Sequence, residues 1–173
     1  MTAITIVFQS PVTLSQSIMA VLEKNEKLKL AGKEELSIIV DFYSPVMNPN
    51  VVLGAFDILS FHQDIKIKAR IMSAVSLYTL AITAGLPEGS TYISKSAIVF
   101  AIRPESSSFV STTEIKIGTD ARDMLHTRIN SCISSAYDYT IDEVTNLYEE
   151  TAVIQSDELV KRGLILLEKG VSA

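Results

Sequence analysis

Ile71–Gly85, IMSAVSLYTLAITAG, changes character in its middle. The small residues Ser73 and Ala74 lead out of a strand, and Leu77, Leu80, Ala81 and Ala84 give an apolar helix, with Ser76 at the corner. Gly85 and Pro87 close that helix as stop signals do. A serine where a helix begins is ordinarily an N-cap, its hydroxyl accepting a bond from a backbone N–H two or three residues on. The same position also suits a nucleophile, because the helix dipole favours negative charge developing there. A base and an oxyanion site elsewhere in the chain would separate the two readings.

Working outward, Ile65–Met72 alternates apolar residues with Lys66, Lys68 and Arg70, which predicts a strand with one wet face. Val51–Phe61 has helical spacing, and Tyr43–Asn50 before it is a loop holding two prolines. Leu36–Phe42, LSIIVDF, is nearly unbroken apolar and predicts a strand buried on both faces. Thr2–Phe8 is a further strand. Ser10-Pro11 ends it, and Thr13 or Ser15 is the expected cap of a helix through Ile18 and Leu22. Strands alternating with helices predict an α/β fold whose sheet is mostly parallel, with right-handed crossovers.

Downstream, short strands are expected near Thr91–Ile93 and Ala97–Ile102. A polar stretch covers Ser106–Ser108 and Thr112–Thr113. A long helix starts at Thr119 or Asp120, with Met124, Leu125, Ile129, Cys132 and Ile133 on one stripe. Thr140 and Glu143 form a capping box. Ser156 opens a short helix ending at Gly163, and Leu164–Leu167 is a last strand.

With 173 residues the chain suits a single domain. It is 47% hydrophobic with a formal charge of −5, and no Lys/Arg cluster is interleaved with aromatics, which argues against nucleic acid or an anionic membrane as partner. No basic leader and no run of about 20 apolar residues is present, so a cytoplasmic protein is expected. A lone Cys132 excludes an intrachain disulfide and a multi-cysteine zinc site. No glycine-rich phosphate loop and no metal-ligand spacing stands out, so neither a cofactor nor a metal is expected.

Four strings, in order and at matching separations, resemble the proteolytic subunit of the Clp protease, within the Clp protease/crotonase superfamily. Ser76-Leu77-Tyr78-Thr79-Leu80-Ala81-Ile82-Thr83-Ala84-Gly85 lies on the family's nucleophile string S-M-G-A-F-L-L-T-A-G. Ser44-Pro45-Val46-Met47, with Phe56-Asp57, lies on its S-P-G-G loop and the Y-D pair that follows. Arg128-Ile129-Asn130 lies on R-M-N, and Gln155–Leu159 with Gly163-Leu164 lies on the closing S-A-x-E-A-x-x-x-G-L pattern. The resemblance implies one domain over 1–173: a spiral of ββα units, with a handle-like extension at about 104–135 and helices at the C-terminal end. It also implies stacked rings of subunits.

Family members cleave peptides with a serine, a histidine and an aspartate, the histidine taking the serine's proton. Carried over position by position, the serine is Ser76. The histidine falls on Ala101 (on Ile102 if one residue is inserted) and the aspartate on Leu147. The oxyanion-loop positions fall on Met47 and Leu77, and Val46 and Met47 replace the loop's two glycines. Of the remaining groups, His62 and His126 read as solvated, and Lys95 is the candidate for an alternative base, as in a serine–lysine pair.

The expected function is therefore a subunit without proteolytic activity that works through assembly. Its partner would be a second copy of itself or an active Clp-type homologue, met through the stripe Met124–Ile133 and the segment Phe109–Ile117. Two alternatives stand beside it: a serine hydrolase in which Lys95 serves Ser76, and a crotonase-like protein binding acyl-CoA.

Overall fold

Ser10 ends the first strand and begins the first helix. In a computed structural model describing residues 2–102 and 112–167 (backbone alone for 112–119), β1 (Thr2–Val7) leads into α1 (Pro11–Leu30). The Ser10 hydroxyl accepts from the Thr13 N–H, and Thr13 Oγ1 accepts from the Ser10 N–H. The cap is thus Ser10 rather than Thr13 or Ser15. Pro11 fits the first helical position because that N–H has no partner in any helix. Buried Asn25 on α1 then exchanges two hydrogen bonds with the backbone of Leu36, at 2.7 and 3.1 Å, and so fixes where the next strand starts.

That strand is β2 (Leu36–Phe42), followed by α2 (Pro49–Phe61), β3 (Ile67–Ile71), β4 (Ala74–Ser76) and α3 (Tyr78–Thr83). After these come β5 (Thr91–Ser94), β6 (Ile98–Phe100), α4 (Thr112–Ala136) and α5 (Ile141–Glu149). The described chain ends with β7 (Val153–Gln155), α6 (Ser156–Lys161) and β8 (Ile165–Leu167). Helix α4 begins at Thr112, seven residues before the expected Thr119. Strand β7 had no alternating signal long enough to announce it. The handle-like region falls partly on 103–111, outside the described residues; its remainder belongs to α4.

Five strands form an all-parallel sheet in the order β1-β2-β3-β5-β8. Three form a second sheet, β4-β6-β7, in which β4 and β6 are parallel and β6 and β7 antiparallel. Successive strands separate: β3 enters the large sheet and β4 the small one, β5 the large and β6 the small. The pair β7 and β8 divides the same way, in reverse order.

One face of the large sheet makes the core. Ile38, Val40, Phe42, Ala69, Ile71 and Ile93 pack there with Leu14 and Ile18 of α1, Val52 and Leu59 of α2, and Ile129 of α4. The opposite face carries Thr5 and Val7, both exposed, then Asp41, Arg70, Tyr92 and Ile165. Every residue of β2 is buried, as expected. On this outer face, however, the cover comes from the Lys68 and Arg70 side chains beside Ile39 and Asp41, not from a second helical layer. Arg70 clasps Asp41 with two hydrogen bonds of 2.6 and 2.7 Å, and that pairing raises the guanidinium pKa above its ordinary value. Among the described residues no helix is long and apolar enough to cross a membrane.

Candidate functional site

Ser76 is the last residue of β4 and is almost wholly enclosed, at 1% exposure. It is not a helix cap. Leu77 occupies the N-cap position of α3 with helical dihedrals, and no side chain bonds the helix start. The Ser76 hydroxyl instead donates to the backbone carbonyl of Val46, at 2.5 Å, in the loop between β2 and α2. That loop reaches the serine because β2 and β3 are neighbours and both point their C-terminal ends the same way. Only the fold brings Val46 and Ser76 together, so local sequence gives a serine at this corner its more common reading as a cap.

A serine nucleophile needs a base to take its proton and N–H donors where the oxyanion will form. Around Ser76 the geometry supplies an acceptor that cannot carry a proton away. The Leu77 N–H donates to the Phe100 carbonyl at 2.9 Å, continuing the β4–β6 pairing, and so is already engaged. At the Met47 position the loop turns the neighbouring Val46 carbonyl toward the serine, an oxygen where a donor would be required. Ala101, onto which the resemblance would put the histidine, is fully buried, and its N–H donates to the Ala152 carbonyl. Leu147, onto which the resemblance would put the aspartate, is a partly buried residue of α5 packed against the core.

Lys95 is exposed in the turn between β5 and β6. Ser76 is in register with Phe100 at one end of β6, and Lys95 precedes the other end, where its backbone carbonyl accepts from the Ser156 hydroxyl. His62 is the C-cap residue of α2, half-buried edge-on against Phe61. His126 departs from the sequence reading: it is buried at 6% exposure. Its ring lies 3.0 Å from the Tyr78 hydroxyl and packs against Tyr148. The stripe on α4 accounts for this, since α4 is wedged against α2, α3 and α5 and buries a wider arc than Ile129 and Ile133 alone suggest. The same packing removes most of the Met124–Ile133 stripe from any assembly surface. Ile129, Cys132 and Ile133 are core, and Met124 alone is largely exposed. Of the segment Phe109–Ile117, residues 109–111 and all the side chains lie outside the described residues.

A second feature was not foreseen. A cavity of about 410 Å³ opens between α5, β7 and α6, floored by Leu147 and Ile154 and rimmed by Glu143, Glu150, Glu158 and Arg162. Arg162 lies over the Tyr139 ring at 4.3 Å and bridges Glu143 at 3.2 Å and Glu158 at 3.4 Å. Tyr139 is 7% exposed, and its buried hydroxyl has no hydrogen-bond partner among the described residues. Burial pushes that phenol's pKa up, with Arg162 pulling against it. The only sequence signal for this site was the capping box of Thr140 and Glu143, which the structure contains.

No protein-family model matches the chain, and no curated protein matches it at a significant level.

Proposed function

We propose that the chain is a Clp-protease-like subunit that has lost serine-peptidase chemistry and acts through self-assembly, in a structural or regulatory role. The observation that carries this reading is the serine itself. Its hydroxyl is donated to a backbone carbonyl inside an enclosed site, with alanine and leucine where a base and its orienting acid would stand.

Three features support the family likeness. Consecutive strands alternate between two sheets, as a spiral of ββα units requires. The strings matched in sequence also meet in space: Arg128 pairs with Asp57 at 3.2 Å. Gly85 lies against the Phe56 carbonyl, where a Cβ would sit at 2.7 Å. The uncovered sheet face supports assembly. All-parallel sheets occur almost entirely with both faces covered, and here the described helices cover one. A second copy laid on Val7, Tyr92 and Ile165 would bury the other.

Two measurements test the reading. A fluorophosphonate probe, followed by intact mass with Ser76→Ala as control, is expected to leave the folded protein unlabelled. Sedimentation velocity across a concentration series is expected to show species heavier than the 18.9 kDa chain. Stoichiometric labelling that depends on Ser76 would overturn the loss of chemistry. A monomer at every concentration would overturn the assembly.

A further inference from the structure

We infer that the free edge of β7, with the acidic cavity beside it, is a docking site for an extended basic peptide segment that adds to the small sheet as a fourth strand. β7 is the last strand of β4-β6-β7, so one of its edges is unpaired among the described residues. Two backbone hydrogen bonds fix which groups face that edge. The Ala101 N–H donates to the Ala152 carbonyl, and the Leu77 N–H donates to the Phe100 carbonyl. Along β6, therefore, Ala101 and Val99 face β7, while Phe100 and Ile98 face β4. In antiparallel register Val153 stands opposite Phe100 and Gln155 opposite Ile98. The N–H and C=O of Val153 and the N–H of Gln155 consequently point outward, and no described residue pairs with them. An unpaired edge of this kind is a template for another strand, the main chain supplying affinity and adjacent pockets supplying selectivity.

The pocket is in place. Ala152, Val153, Ile154 and Gln155 form one wall of the 410 Å³ cavity, so a chain paired to β7 would run along its mouth. Tyr139, with Arg162 over its ring, lines the same cavity.

Charge selects the occupant. Residues 138–162 hold seven carboxylates (Asp138, Asp142, Glu143, Glu149, Glu150, Asp157, Glu158) against Lys161 and Arg162. Of the chain's 20 acidic and 15 basic residues, that leaves thirteen of each elsewhere. This segment, which contains β7, thus carries a net charge of −5; Glu143, Glu150 and Glu158 line the cavity beside the edge, and Arg162 is already bridged to Glu143 and Glu158. Two copies meeting edge to edge here would oppose like charges, whereas lysine or arginine side chains of an extended segment would meet Glu150 and its neighbours.

The test is fluorescence anisotropy on the full chain. The probe is a labelled peptide of about nine residues alternating lysine with valine, long enough to span the edge at about 3.3 Å per residue. Controls are the same peptide with glutamate for lysine, and the lysine peptide N-methylated at alternate amides. Saturable binding by the lysine peptide is expected, weakening as salt rises and lost in both controls. Glu150→Lys, at an exposed rim position, should weaken binding about tenfold or more while the fold is untouched. Val153→Pro removes an outward donor without removing a bond to β6 and should abolish binding, with circular dichroism reporting the fold. Three results would overturn the proposal: no binding at about 1 mM peptide, equal binding of the glutamate peptide, or wild-type binding by Glu150→Lys. Concentration-dependent dimerisation that Val153→Pro removes would overturn it too, by assigning the edge to a second copy.

Discussion

Replacing Ser76 by alanine tests whether its hydroxyl anchors a loop or caps a helix. The substitution removes one hydrogen bond from an enclosed site and leaves the Val46 carbonyl without that donor. Val46 sits on a partly exposed loop, so water can take up some of the lost bonding. A single bond of this kind contributes about 1 kcal/mol net. For a domain of about 150–250 residues, 1 kcal/mol lowers Tm by about 2–4 °C. Where the loosening occurs is more telling than its size. Amide hydrogen exchange should rise in the loop around Val46, between β2 and α2, because the serine tethers that loop to the end of β4. Exchange within α3 should hold, since no side chain caps it. Faster exchange confined to Tyr78–Thr83, with the loop unchanged, would mean that Ser76 supports the helix start after all, and the reasoning from its hydrogen bond would fail.

Other perturbations reach other parts of the structure. Arg70→Met strands the Asp41 carboxylate, whose side chain is 4% exposed, and should cost about 3–5 kcal/mol in urea denaturation. Adding Asp41→Asn to that variant should recover part of the loss, and strict additivity would argue against a coupled pair. Gly85→Ala would drive a Cβ to 2.7 Å from the Phe56 carbonyl and 2.9 Å from Ser60 Oγ, separating α3 from α2 at a cost of about 1–3 kcal/mol; a thermal melt checks it. The Thr140 backbone N–H, donating to the Glu143 carboxylate, holds that group's pKa below the ordinary glutamate value. A lowered carboxylate pKa stabilises the fold above the unfolded value and loses that effect as pH falls through the folded one. The stability gap between the wild-type chain and Glu143→Gln should therefore be constant above about pH 5 and shrink below it; denaturant melts across that range measure it.

Much of the fold was legible because its signals are local. The alternation in Ile65–Met72 and the apolar run LSIIVDF became β3 and β2, and Thr140 with Glu143 became a working capping box. Gly85 was marked correctly as the end of a helix, but for a different reason. Its φ is not positive; it is required because α2 passes within contact distance. The site was less legible because its determinants are not local. Nothing near Ser76 in the chain reveals that a carbonyl thirty residues earlier accepts its hydrogen bond. His126 read as solvated because helical phase says nothing of how many neighbours a helix has. Strand β7, three residues long, has no periodicity to detect, yet it forms one edge of the small sheet.

The position of β8 bears on how the chain folds during synthesis. The large sheet is completed by a strand lying beside β5, with Tyr92 opposite Ile165 more than seventy residues on. β1, β2, β3 and β5 can assemble from the ribosome in order, each beside its predecessor in the sheet. They must then wait, with β5 as a bare edge, while α4, α5, β7 and α6 emerge. At about 5–20 residues per second that interval is several seconds. Loop closure over such a separation is slow on its own account. Until β8 arrives, the edge it will cover is Thr91–Ser94.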